Sequence, residues 1–575
     1  MKLASIIVFA SCIPFFLFAQ DLEKIGKKDV LKVNGGLNYS SVFYDAKGIQ
    51  GRRQPFTYFI NGNITGNIAG ITLPYTFNYS NNQLTYTQPY NINSFNPSYK
   101  WAKAYIGTTS MNFSQYTMAG HIFNGAGIEL TPKNIRFAAL YGRFKKAVEF
   151  DHENNTDATM SFKRMGYGAS LGYEAGGHSI KAIYFTAKDD IHSLSFLPIN
   201  TVITPMENTV ISLTGKTMLY KNFTLEGEYA LSALTRNITS PSDLNAYPNN
   251  KLPLLFQPNA TSQFFSAYKG SIGYRIKMAG IQLNYERVEP DYMTLGAYYF
   301  NNDLENITLA PSLTLLEGKM NLSINTGVQR NNLKNDKLNT TRRWVGAANL
   351  SYAPNSKWNF SAGYSNFTSF TKQKPQEDPY YRNTLDTLNF YQIAQSANAN
   401  ILYNFGSNKI KQNIVLSGNY MVSSQTQGSF ASIGILGPEM NKGVPSQVIN
   451  VNAAHNAQFT ESKTSVGILF NMNQVKMQST ELIYWGPGLN ISQSLYKNKM
   501  KLSGGSTFNS TLNNGIKSNS ILNHRLTFAY SPQFANEKTG KLSFNLSAIY
   551  LQKIASLGNI GFNEFTGNIG LNYSF

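Results

Sequence analysis

The clearest pattern in the chain is an alternation of two residue classes over positions 565 to 575. One phase is apolar or small and comprises Phe565, Gly567, Ile569, Leu571, Tyr573 and Phe575. The other phase comprises Thr566, Asn568, Gly570, Asn572 and Ser574. Because successive side chains of a β-strand point to opposite faces, this segment predicts a strand with one apolar face and one polar face.

The same alternation predicts strands along nearly the whole chain after residue 30. Residues 344, 346, 348, 350 and 352 share one phase, as do residues 542, 544, 546, 548 and 550. The predicted strands are 30–44, 56–65, 70–79, 120–130, 135–145, 162–173, 179–186, 209–218, 223–234, 263–276, 280–288, 307–315, 320–329, 342–352, 358–367, 391–405, 410–422, 448–459, 464–473, 480–495, 500–512, 522–530, 542–551 and 565–575.

The connections between these strands alternate between short and long. Short ones include 174–178, 219–222 and 353–357, whereas long ones include 187–208 and 235–262. Outer-membrane barrels have short periplasmic turns and long external loops. The pattern therefore predicts an all-β fold, a transmembrane antiparallel β-barrel.

Strand direction gives an estimate of the strand number. If both chain ends are periplasmic, only one external crossing can join strand 70–79 to strand 120–130, and the wall has about 24 strands (22–26). Residues 80–119 then form one inserted segment, rich in tyrosine and other aromatic residues. Strand direction excludes its strand-like piece at 99–113 from the wall, and if that piece does span, the number becomes 22 or 26. We expect this insert to fill or cap the lumen, because a barrel of 22 or more strands encloses an aqueous hole unless it is plugged. The alternative is an external hairpin.

The first residues have the features of an export signal. Lys2 precedes an apolar run from Leu3 to Phe18, and we expect cleavage near Ala19 or Gln20. We therefore predict a signal peptide at 1–20 and a single barrel domain at 21–575. The sole cysteine, Cys12, lies in the signal, so the mature chain is expected to have no disulfide.

Composition changes this picture little but narrows the partners. The 575 residues carry a formal net charge of +19, yet no dense run of Lys and Arg stands out. Nucleic acid is therefore not expected as a partner, and a positive lumen or attraction to anionic lipid headgroups is the better explanation. Segment 21–29 is also too short for the plug domain of TonB-dependent receptors.

The final strand resembles the closing strand of bacterial outer-membrane β-barrels, whose assembly signal ends in an aromatic residue with another two positions earlier. Tyr573 and Phe575 match that pattern. The ending Phe18-Ala19-Gln20 and passages such as Tyr141-Gly142-Arg143-Phe144 look like those of uncharacterised Bacteroidota outer-membrane barrel proteins. The resemblance implies a plugless barrel in the outer membrane, in contact with lipid, lipopolysaccharide and the barrel-assembly machinery, and implies no activity.

Charged residues in the polar phase of the strands are expected to face the lumen, because a charge facing lipid costs about 2–4 kcal/mol at the membrane midplane. The candidates are Arg164, Lys269, Arg275, Arg343, Lys501 and Arg525, with Glu226, Glu228 and Glu286. They could form an electropositive channel that favours anions. The alternative is that they pair across a filled lumen and stabilise the barrel.

Other motifs are weak. The four carboxylates at positions 289, 291, 303 and 305 match no known calcium loop and are better explained as a solvated acidic loop. The histidines show no metal-binding spacing, and we find no convincing nucleotide or catalytic motif. We therefore expect neither a cofactor nor enzymatic activity.

Three functions remain from the sequence, of which a membrane enzyme with a triad assembled from distant strands is the least favoured. The first is a channel or passive transporter in the outer membrane, with small anionic solutes as the expected cargo. The alternative is a structural or assembly component that holds surface or secretion partners on its loops. An aqueous lumen would support the first, and long ordered loops with a filled lumen would support the second.

Overall fold

A computed structural model shows one closed antiparallel β-barrel. It describes residues 31–81, 93–150, 160–198, 203–241, 252, 254–298, 301–336, 342–366, 369–372, 390–426, 445–477, 480–532, 540–555 and 560–575. The expected signal peptide and the part of the insert at 82–92 lie outside these residues.

The sheet contains 28 strand segments. Those of the first half are β1 (Leu31–Lys47), β2 (Phe56–Ile68), β3 (Ile71–Ser80), β4 (Asn93–Phe95), β5 (Ser98–Tyr99), β6 (Ala102–Asn112), β7 (Ala119–Leu130), β8 (Ile135–Lys145), β9 (Lys163–Ala175), β10 (His178–Asp190), β11 (Glu207–Leu219), β12 (Phe223–Thr235), β13 (Ser262–Arg275) and β14 (Ala279–Val288). Those of the second half are β15 (Leu304–Leu315), β16 (Met320–Arg330), β17 (Arg342–Tyr352), β18 (Trp358–Ser365), β19 (Ser369–Lys372), β20 (Phe390–Gly406), β21 (Ile410–Thr426), β22 (Pro445–Phe459), β23 (Thr464–Met477), β24 (Thr480–Leu495), β25 (Met500–Asn513), β26 (Ile516–Tyr530), β27 (Lys541–Ile554) and β28 (Phe562–Ser574).

The barrel wall has 26 strands, because two of them are interrupted. Segments β4 and β5 lie in line between β3 and β6, and both pair with those neighbours. Segments β18 and β19 likewise both pair with β20. The barrel prediction is confirmed, and the observed number lies within the predicted 22–26.

The wall closes where the sequence predicts. Strand β28 pairs with both β27 and β1, so the sheet has no free edge. At the seam Gly35 N donates to Phe575 O over 2.8 Å, and Phe575 N donates to Gly35 O over 3.0 Å. We call the barrel end that holds Leu31 and Phe575 the base, and the opposite end the mouth.

The prediction that 80–119 is an insert outside the wall is wrong for residues 93–112, which form β4, β5 and β6. The strand at β4 and β5 is broken at Asn96-Pro97, and the fixed φ and missing N–H of proline interrupt a strand ladder. Each piece was too short to show alternation. The piece at 99–113 is strand-like in sequence, but strand direction excluded it from the wall. Two additional strands leave the direction of every later strand unchanged, so counting by direction could not place them in the wall.

Tight turns join the strands at the base. Several place two consecutive non-glycine residues in the left-handed region, such as Tyr220 and Lys221 at φ 49° and 62°, and Leu316 and Glu317 at φ 53° and 56°. Short hairpin turns of this kind match the right-handed twist of the flanking strands. A turn of the same kind lies at Tyr496–Asn498, where Tyr496 and Lys497 have φ of 49° and 55°.

The two faces of the wall differ in chemistry. Large apolar residues of one phase are exposed outward, for example Tyr167, Leu213, Ile307 and Ile468 at 51%, 53%, 53% and 57%. They form the outward apolar band of an outer-membrane barrel. Among the described residues, no helix is long and apolar enough to cross a membrane.

Candidate channel interior

The strand register places the predicted inward charges in the phase opposite to the exposed apolar band. Arg164 pairs with Asp189 across β9 and β10, and Glu228 pairs with Lys269 across β12 and β13. Lys269 in turn pairs with Glu286 on β14. The structure therefore brings Lys269, Glu228 and Glu286 together, which sequence spacing did not indicate.

Several of these charges are neutralised by a partner. Arg164 donates from Nε and Nη2 to the two carboxylate oxygens of Asp189 at 2.7 and 2.9 Å, with both residues buried. Lys269 Nζ lies 3.5 Å from Glu228 Oε2, and Lys216 Nζ lies 3.8 Å from Glu226 Oε2. Pairing of this kind is what the filled-lumen alternative requires.

Three of the candidates differ from that group. Arg275, Lys501 and Arg525 are exposed and form no ion pair with any residue that the structure describes. Lys501 and Arg525 lie on neighbouring strands, opposite Ser494 and Gly505 respectively. The backbone of Arg343 pairs with Gln329, but its side chain lies outside the described part. The free cations thus lie on two separate parts of the wall.

Two loops from the mouth fold inward against the wall between β7 and β14. We call residues 113–118 and 289–298 together the two-loop cap. Met118 and Gly296 form a parallel bridge, and Ala119 N donates to Gly296 O over 3.0 Å. Tyr292 Oη and Thr294 Oγ1 donate to the carbonyl oxygens of Tyr116 and Thr117 at 2.7 and 2.6 Å.

The mouth side of the cap is apolar. Its residues Phe113, Met118 and Leu295 pack with inward-facing side chains such as Phe144 and Phe185. Tyr116 and Tyr292 pack in a second cluster whose wall residues are Val210, Ala230, Leu234, Phe265, Ala267 and Val288. Burying such a side chain fully contributes about 1.5–3 kcal/mol, so these contacts hold the cap firmly to the wall.

Polar groups secure the cap towards the base. Tyr116 Oη donates to Glu286 Oε1 over 2.7 Å, and Lys269 Nζ donates to Gln115 Oε1 over 3.0 Å. Lys181 Nζ also donates to Phe113 O over 2.5 Å. The cap is therefore apolar towards the mouth and charged beneath, where it faces the remaining lumen.

The cap tyrosines stay protonated in this setting. Burial and the neighbouring Glu286 raise the pKa of Tyr116 far above its usual value, and burial raises the pKa of Tyr292 in the same direction. Burial raises the pKa of Tyr298 to about 12, although its hydrogen bond from Ile122 N acts in the opposite direction. Neutral hydroxyls can donate to carboxylate and carbonyl acceptors, as the cap requires.

Sequence reasoning missed several groups of this interior. Asp189 falls in the predicted loop 187–208, but the strand continues to Asp190 and the inward phase runs through Ile183, Phe185 and Ala187 to Asp189. That continuing alternation was a usable signal. For Tyr116 and Tyr292 we see none, because their contact joins loops that are 176 residues apart.

The acidic residues of the loop at 289–305 do not converge. Glu289 accepts from Ser266 N, Asp303 accepts from Asn332 N and Leu333 N, and Glu305 is engaged by Arg287 and Arg330. In the described part of the chain, no three metal-binding side chains lie close enough to hold an ion. The structure thus gives the calcium hypothesis no geometric support.

Comparisons with known proteins add little. No family model matches the chain, and no curated protein matches it. Among solved structures, Acinetobacter baumannii OccAB2 has 9% identity and a TM-score of 0.25, with 65% of this chain and 92% of that chain covered. Pseudomonas aeruginosa FpvA has 10% identity and a TM-score of 0.32, with 94% and 72% covered. Pseudomonas aeruginosa OccK1 has 8% identity and a TM-score of 0.27, with 65% and 93% covered. At these scores the likeness supports no argument about function.

Proposed function

We propose that this protein is an outer-membrane channel through which small polar solutes pass passively, with a preference for anions. The observation that carries the proposal is the contrast between the two parts of the wall. The cap covers β7 to β14, whereas the described apolar clusters include no residue from β16 to β28. A wall of 26 strands is wide enough to leave an aqueous passage beside such a cap.

The preference for anions rests on the cations that the wall leaves free. Arg275, Lys501 and Arg525 are exposed in the inward phase, whereas Glu226, Glu228 and Glu286 each have a described partner. A passage lined by unpaired cations, in which each of these carboxylates is held by a described neighbour, has a positive potential. Such a potential raises the local concentration of anions and lowers that of cations.

The test is single-channel recording in planar bilayers under a potassium chloride gradient. We expect the protein to conduct, with a reversal potential shifted from zero towards the equilibrium potential of chloride. The triple variant Arg275→Gln, Lys501→Gln and Arg525→Gln should keep the conductance and shift the reversal potential towards zero. Lys497→Gln, in a turn at the base, is the matched control and should leave it unchanged. An unchanged reversal potential in the triple variant would refute the anion preference.

A scaffold for surface or secretion partners is the second candidate, and the two-loop cap favours it. Ordered loops that fill part of a lumen are expected when the loops present a binding surface. If the intact protein does not conduct but a variant with a shortened cap does, the barrel is plugged. In that case the scaffold replaces the channel as the proposed function.

A further inference from the structure

The wall opposite the cap contains very little charge. Strands β18, β20 and β22 contain no Asp, Glu, Lys or Arg at all. Their inward phase is built from asparagine, serine, glycine and a few apolar residues instead. A polar, uncharged wall of this kind suits solutes that carry hydrogen-bonding groups without charge.

Asparagines of this wall follow one another across neighbouring strands. The register pairs Asn349 with Gly363, Gly363 with Asn398, Asn398 with Asn419, Asn419 with Asn450, and Asn450 with Asn473. We call these five asparagines with Gly363 the asparagine row. Five steps between strands at about 4.8 Å each give it a length of about 24 Å.

The row climbs through the membrane because the strands of a barrel are tilted. At one end, Asn349 lies three residues from Tyr352, where β17 ends at the base. At the other end, Asn473 lies four residues from Met477, where β23 ends near the mouth. The row therefore rises obliquely along the wall from the base side towards the mouth.

The amides of the row are not used to bind one another. None of its five asparagine side chains has a hydrogen-bond partner within the described residues, and Asn473 Oδ1 is buried without one. Elsewhere on the same wall such pairing does occur, since Asn456 Nδ2 donates to Asn413 Oδ1 over 3.0 Å. Cross-strand stabilisation consequently does not explain why the row is made of asparagine.

Gly363 leaves space for the two amides beside it. A Cβ at this position would lie 2.6 Å from Asn398 Oδ1 and 3.1 Å from Asn349 Oδ1. The two oxygens thus lean over the glycine from either side. Here they border a cavity of about 940 Å³, whose lining includes Ser351 and Ser361 beside the row and, on its other side, Arg275 and Lys277.

A primary amide offers two donors and one acceptor, so a row of free amides matches a ligand that carries both kinds of group at short intervals. Hydroxyl groups meet this requirement, whereas an anion offers acceptors only and an apolar ligand offers neither. We infer that the asparagine row is a binding track for a neutral polyhydroxylated solute, namely an oligosaccharide. The inference deepens the proposed channel and rests on it for transport, but binding can be measured separately.

The test is isothermal titration of the full-length purified barrel with a linear glucose hexamer, run beside single-channel recording. We expect saturable binding of the hexamer and transient blocks of the current. Polyethylene glycol of the same hydrodynamic size lacks the repeated hydroxyl groups and should not bind. The triple variant Asn349→Ala, Asn398→Ala and Asn419→Ala should weaken hexamer binding at least about tenfold, since each lost hydrogen bond costs a few-fold in affinity.

A matched control uses two asparagines of the same wall whose amides already bind each other. Asn413 pairs with Asn456 across β21 and β22, and their replacement by alanine should leave hexamer binding unchanged. Gly363→Ala should weaken binding through displacement of both amides. Migration of unheated samples on gels confirms that each variant has folded.

The outcomes separate the two proposals. Conductance without hexamer binding overturns the asparagine track and leaves the channel intact. So does an equal loss of binding in the Asn413 and Asn456 control. A second outcome is that the protein binds the hexamer, the triple variant binds it more weakly, and no conductance is observed. This result supports the track and overturns the channel. Equal binding of the hexamer by the triple variant also refutes the track.

Discussion

At the scale of single residues, burial decides how much an inward charge matters. The side chains of Arg164 and Asp189 are only 6% and 4% exposed, whereas Lys216 and Glu226 are 49% and 52% exposed. An exposed pair contributes little because solvent screens it. A buried pair is costly to break, because the remaining charge has no compensation.

Asp189→Ala is therefore expected to destabilise the barrel strongly, by about 3–5 kcal/mol, because it leaves the Arg164 guanidinium buried and unpaired. The double variant Arg164→Met with Asp189→Leu should recover most of that loss. Urea unfolding in lipid vesicles measures the free energy of unfolding of the single and the double variant. Lys216→Ala serves as the control and should change stability by less than about 1 kcal/mol. Equal losses in the single and double variants would contradict the importance of the unpaired charge.

The cap tyrosines predict a response to alkaline pH. The pKa of Tyr298 is raised from 10.0 to about 12, so its stabilisation is complete below pH 10 and is lost as the pH rises through 12. Tyr116 and Tyr292 have pKa values shifted in the same direction, so their ionisation also opposes the packed cap. We expect the cap to detach above pH 10 and the conductance to increase.

The near-ultraviolet absorbance of ionised tyrosine measures the ionisation of the cap tyrosines. Single-channel recordings at the same pH values measure the conductance. In Tyr298→Phe the conductance change should move to a different pH, because a titrating group of the cap is gone. Tyr141 is exposed on the outward face, and Tyr141→Phe should not move it. A change in conductance at neutral pH would conflict with the raised pKa values.

At the scale of elements, the seam between β28 and β1 tests the closing strand. Deleting Phe575 removes both backbone hydrogen bonds to Gly35, whereas Phe575→Ala keeps them and removes only the aromatic ring. We expect both changes to reduce accumulation in the outer membrane, because Phe575 and Tyr573 form the expected assembly signal. Fractionation of cells expressing each variant measures the effect.

Comparison of the two variants separates the effect of backbone pairing at the seam from recognition of the aromatic ring during assembly. If only the deletion reduces accumulation, the ring is dispensable and the backbone bonds of the seam explain the effect. Thr566→Ala is a control in the same strand and should accumulate normally. Normal accumulation of all variants would refute the prediction that this strand drives assembly.

The strands were largely predictable because one physical pattern repeats in each of them. A wall between lipid and water imposes alternation, so segments such as Trp358–Ser365 and Met500–Asn513 follow directly from the sequence. The pattern fails where a strand is broken, as at Asn96-Pro97. It also gives no register in advance. The inward phases of Arg164 and Asp189 could therefore be predicted from the alternation, but their pairing could not.

At the scale of the whole molecule, the cap depends on contacts between distant parts of the chain. Tyr116 reaches Glu286 and Tyr292, each at least 170 positions away. Local patterns cannot predict such contacts, because loop residues have no periodicity and their position follows from closure of the entire wall. The sequence led us to expect a lumen filled by one insert, whereas two separate loops meet inside it.

The junction of those two loops gives a direct test of what the cap does. A Cβ on Gly296 would lie 2.6 Å from Thr117 O and 3.1 Å from a ring carbon of Phe185, and backbone cannot yield as a flexible side chain would. Gly296→Ala should therefore separate the loops without deleting any residue. Because the cap covers one side of the lumen, we expect a larger and noisier single-channel conductance with no loss of folded barrel.

The control is Gly66→Ala, since a Cβ there meets only Leu73 Cβ at 3.9 Å. Hydrogen exchange of residues 113–118 and 289–298, followed by mass spectrometry, should accelerate in Gly296→Ala alone. Faster exchange without any change in conductance would mean that ions pass entirely beside the cap, along the wall of β16 to β28. Faster exchange with increased conductance would mean that the cap sets the width of the passage.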